Sequence, residues 1–197
     1  PGTITSEKVL DAKKNNYIAS LIKGKDSFGY SFIDTSTGEF YVGECQLEDL
    51  YETLSTYNPS EILLPKSISY NIQDWFIKLR PYVTSIEDLH FNYDSAYRNL
   101  VGHFKVNSLK GFGCEHLSNG IIAAGGLYLY LKNNLSKNVN HLKRISPVKN
   151  IGFMGLDGYT IRNLEVFDSI SSHNINGTLI NCIDTTMTPG GGRLLYK

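Results

Sequence analysis

Apolar and polar positions along the chain switch between two periods. Residues 16–22 (Asn-Tyr-Ile-Ala-Ser-Leu-Ile) are short, apolar and rich in β-formers, which predicts a strand. Residues 30–34 and 40–44 flank Thr35-Ser36-Thr37-Gly38, a turn cluster, and together predict a hairpin. The period then lengthens. Leu47, Leu50, Leu54 and Tyr57 recur at helical spacing, so residues 46–57 predict an amphipathic helix. Asn58-Pro59-Ser60 ends it, because the residue before proline avoids the α region. Residues 61–64 form a short buried strand stopped by Pro65. Ile72, Trp75, Phe76 and Leu79 mark a second helix, with Asn71 as cap and Asp74 at the capping-box distance. Pro81 closes it, and residues 82–86 form another strand. The order is β-β-β-α-β-α-β, a hairpin sheet extended by helix crossovers, which usually make parallel neighbours.

The second half is more helical. Asp94 or Ser95 caps a helix over residues 96–104, and Ser118 caps a broad apolar helix through Ile121, Ile122, Leu127, Tyr128 and Leu131. Between them, residues 109–114 read as a tight turn with Phe112 buried. Residues 136–149 are polar and basic, with His141, Lys143, Arg144 and Pro147, and predict a linker at a domain boundary. Beyond it a helix is expected from about 160 to 169, with Arg162 and Glu165 paired and Leu164 and Phe167 buried. A last helix starts at Pro189, which suits a first turn, and Asp184 with Thr185 and Thr188 reads as turn and cap. The chain opens at Pro1 and stops inside an apolar helical pattern, so it is expected to be an excised piece.

Composition narrows the function classes. The 197 residues carry 19 Lys+Arg against 19 Asp+Glu, and 41% are hydrophobic. Disordered chains lack that apolar content. A neutral balance argues against a whole-surface grip on nucleic acid but leaves room for a local basic patch. Three scattered cysteines, Cys45, Cys114 and Cys182, fit reduced thiols in an intracellular setting. The longest apolar stretch, residues 120–131, falls short of the ~20 residues that span a bilayer, so no membrane partner is expected.

Candidate chemistry is sparse. Cys114 and His116 with His103 lack the second ligand pair of a structural zinc site. Gly111-Phe112-Gly113 follows a helix, where a dinucleotide fingerprint follows a strand. Residues 189–193 open a helix with three glycines but without the Gly-Lys-Ser/Thr ending of a P-loop. The element order is that of ribonuclease-H-like folds, whose nucleases cluster carboxylates around two metals and place one acid mid-way along the first strand. Residues 16–22 contain no acid, and Asp34 and Glu39 read as solvated turn acids. No catalytic, cofactor-binding or metal residue is assigned. A metal-dependent nuclease and a generic α/β interaction scaffold remain the alternatives.

Several segments in order resemble the MutS family of DNA mismatch repair proteins. Pro1-Gly2-Thr3 with Asn15-Asn16-Tyr17-Ile18-Ala19 resembles its exit from the mismatch-binding domain. Asp34-Thr35-Ser36-Thr37-Gly38-Glu39-Phe40 resembles its D-x-S-T-G-E-F hairpin, and Asn58-Pro59-Ser60-Glu61-Ile62-Leu63 its N-P-x-E-I/L-L step. Leu156-Asp157 through Arg162-Asn163-Leu164-Glu165 resembles its approach to the core domain. Gly177-Thr178-Leu179 and Asp184 through Leu195 resemble G-S/T-L followed by L-D-x-T-x-T-P-M-G-x-R-L-L, with Gly190 in place of the common Met.

The resemblance implies an α/β, ribonuclease-H-like connector domain (mixed sheet with hairpin and helix crossovers) followed by a partial all-α core segment. Residues 1–15 would be the tail of the mismatch-binding domain, 16–135 a non-catalytic connector, 136–149 a linker and 150–197 the start of the helical core. The parent would be a homodimer on mismatched double-stranded DNA, using ATP and Mg outside this fragment, which itself holds no cofactor. It would work in the bacterial cytoplasm at the nucleoid and recruit MutL. The helix after Asp94, with an apolar face of Ala96, Leu100 and Phe104, would offer Tyr97, Arg98 and Asn99 to MutL. Lys143 and Arg144, in the basic stretch, are candidates for contacts to DNA phosphates.

Overall fold

A central strand, β1 (Tyr17–Lys23), is buried over its first five residues. The computed structural model describes residues 13–68, 81–134, 139–148, 156, 158–171 and 174–196. In it β1 pairs antiparallel with β2 (Phe28–Asp34), and β2 with β3 (Glu39–Cys45). On the other side of β1 lie β4 (Glu61–Pro65) and β5 (Tyr82–Ile86), both parallel. The order is β5-β4-β1-β2-β3-β6, where β6 is Ser146–Pro147 beside β3. An antiparallel meander extended by parallel strands from its first strand is the ribonuclease-H-like arrangement, the fold class that the element order predicts.

Side chains alternate between the two faces of the sheet, and both faces are covered. Tyr17, Ala19, Leu21, Phe32, Ile62 and Leu64 pack against Leu50 and Leu54 of α1 (Leu47–Tyr57). Ile18, Ile33, Val42 and Leu63 pack on the opposite face against α2 (Tyr93–Phe104) and α3 (Ser118–Asn134). Burial on both faces is why β1 reads as an apolar run without alternation. The helix predicted through Ile72 to Leu79 lies outside the described residues.

Helix starts differ from the sequence reading in two places. Asn92 caps α2, accepting from the Ser95 N–H at 3.1 Å, so the helix begins before the predicted Asp94 or Ser95 cap. The first turn of α3 is capped from another element. Glu44 of β3 accepts the N–H groups of Asn119 at 2.6 Å and Gly120 at 3.2 Å. A carboxylate also matches the positive end of the helix dipole. Helix α3 is buried on nearly all sides, between the sheet and α2. Gly125 makes that possible, since a Cβ there would sit 2.2 Å from the Ala96 Cβ.

The described residues fall into two compact units, one drawn from Asn16–Lys149 and the other from Ser6–Asn15 with Asn150–Lys197. The described part of the stretch read as a linker is built into the first unit. Val139, Leu142 and Ile145 are buried in the α2/α3-side core, and Val148 donates its N–H to the Val42 carbonyl at 2.8 Å. Three apolar residues at three-residue spacing carry this packing, while the polar residues between them give the segment its linker-like composition.

The second unit contains α4 (Gly158–Asn163), α5 (Leu179–Ile183) and α6 (Pro189–Leu195). Helix α4 ends earlier than predicted. Glu165 adopts a left-handed φ of 47°, and its carboxylate turns to the Ile170 N–H at 2.6 Å instead of pairing with Arg162. Leu164 is consequently 60% exposed rather than buried, and Phe167 stacks on Tyr196. Asp184 does act as a turn anchor, accepting from the Thr186 N–H at 2.9 Å. Thr188 caps α6 by accepting from the Gly191 N–H at 3.1 Å, with Pro189 first in the helix.

Candidate partner-binding surface

The buried acids of the first unit are occupied in holding the fold. Asp34 at the end of β2 is fully buried, contrary to its reading as a solvated turn acid. It accepts from the Ser36 N–H at 2.8 Å, the Ser36 hydroxyl at 2.6 Å and the Asn16 N–H at 3.2 Å. The hairpin reverses at Gly38, where φ is +78° and glycine is favoured. Glu39, after the turn, accepts the Tyr17 hydroxyl, and burial followed by this bond raises the Tyr17 phenol above its ordinary pKa. Glu61 opens β4 and is 2% exposed. It accepts from the Thr84 hydroxyl at 2.9 Å and the Tyr130 hydroxyl at 2.7 Å. Burial, then the bond to Glu61, pushes the Tyr130 phenol up to about 12. The middle of β1 carries Ser20, at the position where the nuclease reading needs an acid.

Cys114, His116 and His103 do not form a metal-holding group among the described residues. Cys114 is buried, and burial raises its thiol pKa. His116 is exposed, beside a shallow depression that Lys110, Gly113 and Glu115 also line. His103 donates from Nε2 to the Leu142 carbonyl at 2.7 Å, and its ring packs on Phe104 and Tyr128. Among the described residues no group of three His, Cys, Asp or Glu is placed to hold a metal, and no helix is long and apolar enough to cross a membrane.

On α2 the predicted apolar face is set against the core through Ala96 and Leu100, with Phe104 half-buried against Phe40 and Phe112. Tyr97, Arg98 and Asn99 diverge around the helix, because successive residues turn by about 100° and do not share a face. Tyr97 is half-buried, and its hydroxyl donates to Glu115 at 2.8 Å. That bond is the main cause of its raised phenol pKa. Asn99 is half-buried and donates to the Ser95 hydroxyl at 3.3 Å. Arg98 is exposed, with Nε donating to the Asp94 carbonyl at 3.2 Å.

The exposed stripe of α2 is therefore Asp94, Arg98 and Gly102, at four-residue spacing. A Cβ at Gly102 would meet nothing within 4 Å. Sequence reasoning reached Arg98 and missed its two neighbours. Helical spacing counted outward from the buried Ala96 and Leu100 would have found them. Lys143 and Arg144 are both exposed, directly after Leu142, whose carbonyl holds His103.

The family model described as MutS domain II matches residues 16–143. A DNA mismatch repair protein MutS from Flavobacterium psychrophilum is 38% identical over 197 residues, covering 100% of this chain and 22% of that protein. The MutS of Dehalococcoides mccartyi is 35% identical over 197 residues, covering 100% of this chain and 23% of its own. That of Salinibacter ruber is 37% identical over 199 residues, covering 99% and 22%. The chain thus spans about a fifth of the length of the curated relatives it matches. Among solved structures, the fowlpox virus Holliday junction resolvase aligns with a TM-score of 0.43 and 16% identity over 60% of this chain and 99% of its own.

Proposed function

The chain belongs to the MutS family, and on that premise we propose that it is the connector and first core segment of a DNA mismatch repair protein. The observation that carries this reading is the match to MutS domain II over residues 16–143, which spans nearly all of the first unit. The parent recognises mispaired bases in double-stranded DNA as a homodimer, and uses ATP with Mg at sites outside these residues, in the bacterial cytoplasm at the nucleoid. The connector carries no chemistry of its own. It passes a change of state between mismatch reader and ATPase as a packed body whose docking on its neighbours has two arrangements.

A second role is recruitment of MutL. The docking face is taken to be the exposed stripe of α2, Asp94, Arg98 and Gly102, which shares Arg98 with the trio Tyr97, Arg98 and Asn99 read from the sequence. It is rigid, because Ala96 and Leu100 behind it are fully buried, and Arg is a common interface anchor.

Calorimetric titration of the chain with the N-terminal ATPase domain of the cognate MutL tests this. Saturable binding is expected. Arg98→Glu with Gly102→Gln should weaken it at least tenfold while the fold is kept, since the space around Gly102 is open. Binding that ignores both substitutions would move the MutL site elsewhere. No binding to either form would remove recruitment from this chain's role.

A further inference from the structure

The neutral total hides a strong segregation of charge. Residues 26–94 hold twelve Asp or Glu against three Lys or Arg, whereas residues 95–156 hold eight Lys or Arg and a single acid, Glu115. Helices drawn from the two stretches lie on opposite faces of the sheet. The first contributes α1, with the acids Glu48, Asp49 and Glu52. The second contributes α2, α3 and the segment through β6. Glu115 is engaged by the Tyr97 hydroxyl.

Four of the eight basic residues, Lys105, Lys132, Lys143 and Arg144, lie on segments that meet at His103. Its ring lies 4.8 Å from the Tyr128 ring, over which the Lys132 ammonium sits at 6.0 Å. Its Nε2 holds the Leu142 carbonyl, which places His141, Lys143 and Arg144 beside it. Two residues on, Lys105 ends α2 in the left-handed conformation, with its side chain exposed. Lys105, Lys132, His141, Lys143 and Arg144 are all exposed, and none is in an ion pair among the described residues. The large exposed hydrophobic residues lie elsewhere, at Leu47, Tyr82 and Leu89 in this unit.

We propose that the corner built on His103, comprising Lys105, Lys132, His141, Lys143 and Arg144, is a docking surface for the phosphate backbone of duplex DNA. Long flexible cations without an apolar or aromatic anchor suit phosphates, which are read by charge and not by shape. Among the described residues this corner exposes no large hydrophobic side chain, so what it offers a partner is positive charge. The exposed acids of α1, Glu48, Asp49 and Glu52, lie on the other face of the sheet and favour approach of a polyanion from the α2/α3 side. The choice of DNA among polyanions rests on the family assignment. The MutL titration probes the stripe on α2, so the two readings fail separately.

The test is fluorescence anisotropy of a labelled mixed-sequence duplex of about 30 base pairs titrated with the chain across a salt series. Binding at low salt is expected, with log affinity falling linearly against log salt at a slope of about −3. Lys143→Glu with Arg144→Glu should weaken binding at least tenfold and flatten the slope by about 2. The control Lys23→Glu with Lys25→Glu changes net charge equally, in the exposed β1–β2 turn, and should shift affinity by less than about threefold. Lys132→Glu, on a different element, should weaken binding on its own and covers the case that the double variant misfolds. Absence of salt-dependent binding, equal losses in the two double variants, or competition by polyglutamate as strong as by unlabelled DNA would each overturn the proposal.

Discussion

At the scale of single residues, Asp34 shows how a motif earns its place. Its carboxylate gathers the Ser36 N–H and hydroxyl and the Asn16 N–H, so one buried side chain ties the hairpin turn to the segment entering β1. Asp34→Ala leaves those donors with less compensation and is expected to cost about 2–4 kcal/mol, read from chemical denaturation at unchanged m-value. Asp34→Asn keeps the shape and one acceptor, and should cost about half as much. A loss below about 0.5 kcal/mol for Asp34→Ala would show that the anchor contributes little. The turn itself was legible in Thr35-Ser36-Thr37-Gly38, but the burial of Asp34 was not. An acid beside a turn is ordinarily solvated, and only the covering of both sheet faces makes this one internal.

Elements show the same division between local and distant causes. The strands, the hairpin and α1 were readable because their signals are local: apolar runs, a turn cluster and a proline after Asn58. Two features of the α2/α3 layer were not. The cap of α3 comes from Glu44, some seventy-five residues earlier, and no window along the chain contains both partners. The described part of 139–148 reads as a linker because its exposed Lys143 and Arg144 dominate its composition, while the buried Val139, Leu142 and Ile145 recur every third residue and not at the period of two that marks a strand. The exposed stripe of α2 is half legible: Arg98 stands out as a polar surface residue, whereas Asp94 and Gly102 follow only from counting helical spacing outward from the buried Ala96 and Leu100. Close approach of α2 and α3 gives the element-scale prediction. Gly125→Val would drive a side chain into Ala96, whose Cβ lies 2.2 Å from the new Cβ position. Overpacking of this kind costs about 1–3 kcal/mol, and a helical valine gains little against it. Thermal melting should show the loss, and Gly102→Val on the open side of the same layer should show none of comparable size.

Across the whole molecule the two units should differ in local stability. The first has a covered sheet with both faces packed. In the second, Met187 is 95% exposed, Leu194 74% and Tyr159 71%, so fewer apolar contacts resist opening. Hydrogen exchange is therefore expected to be faster in α4 to α6 than in β1 and β2, and equal protection would refute this. What holds the second unit locally is a polar clasp. Lys13 donates to both Asp184 oxygens at 3.1 and 3.0 Å and to the Thr186 carbonyl at 3.0 Å. Thr186 itself donates to Asp184 through its hydroxyl and N–H. The Thr186 hydroxyl bond, then Lys13, lowers the Asp184 carboxyl from its ordinary value of 3.8 to about 2. A depressed folded pKa means that the clasp's contribution is fully present above about 4 and is lost as pH falls through about 2. Thr186→Val removes the hydroxyl bond, and Lys13→Met removes both the ammonium bond and its charge, so each should raise the Asp184 pKa. Carboxyl-carbon NMR titration of the two variants reads the shifts. An Asp184 pKa left at about 2 in Lys13→Met would show that the turn alone anchors the carboxylate.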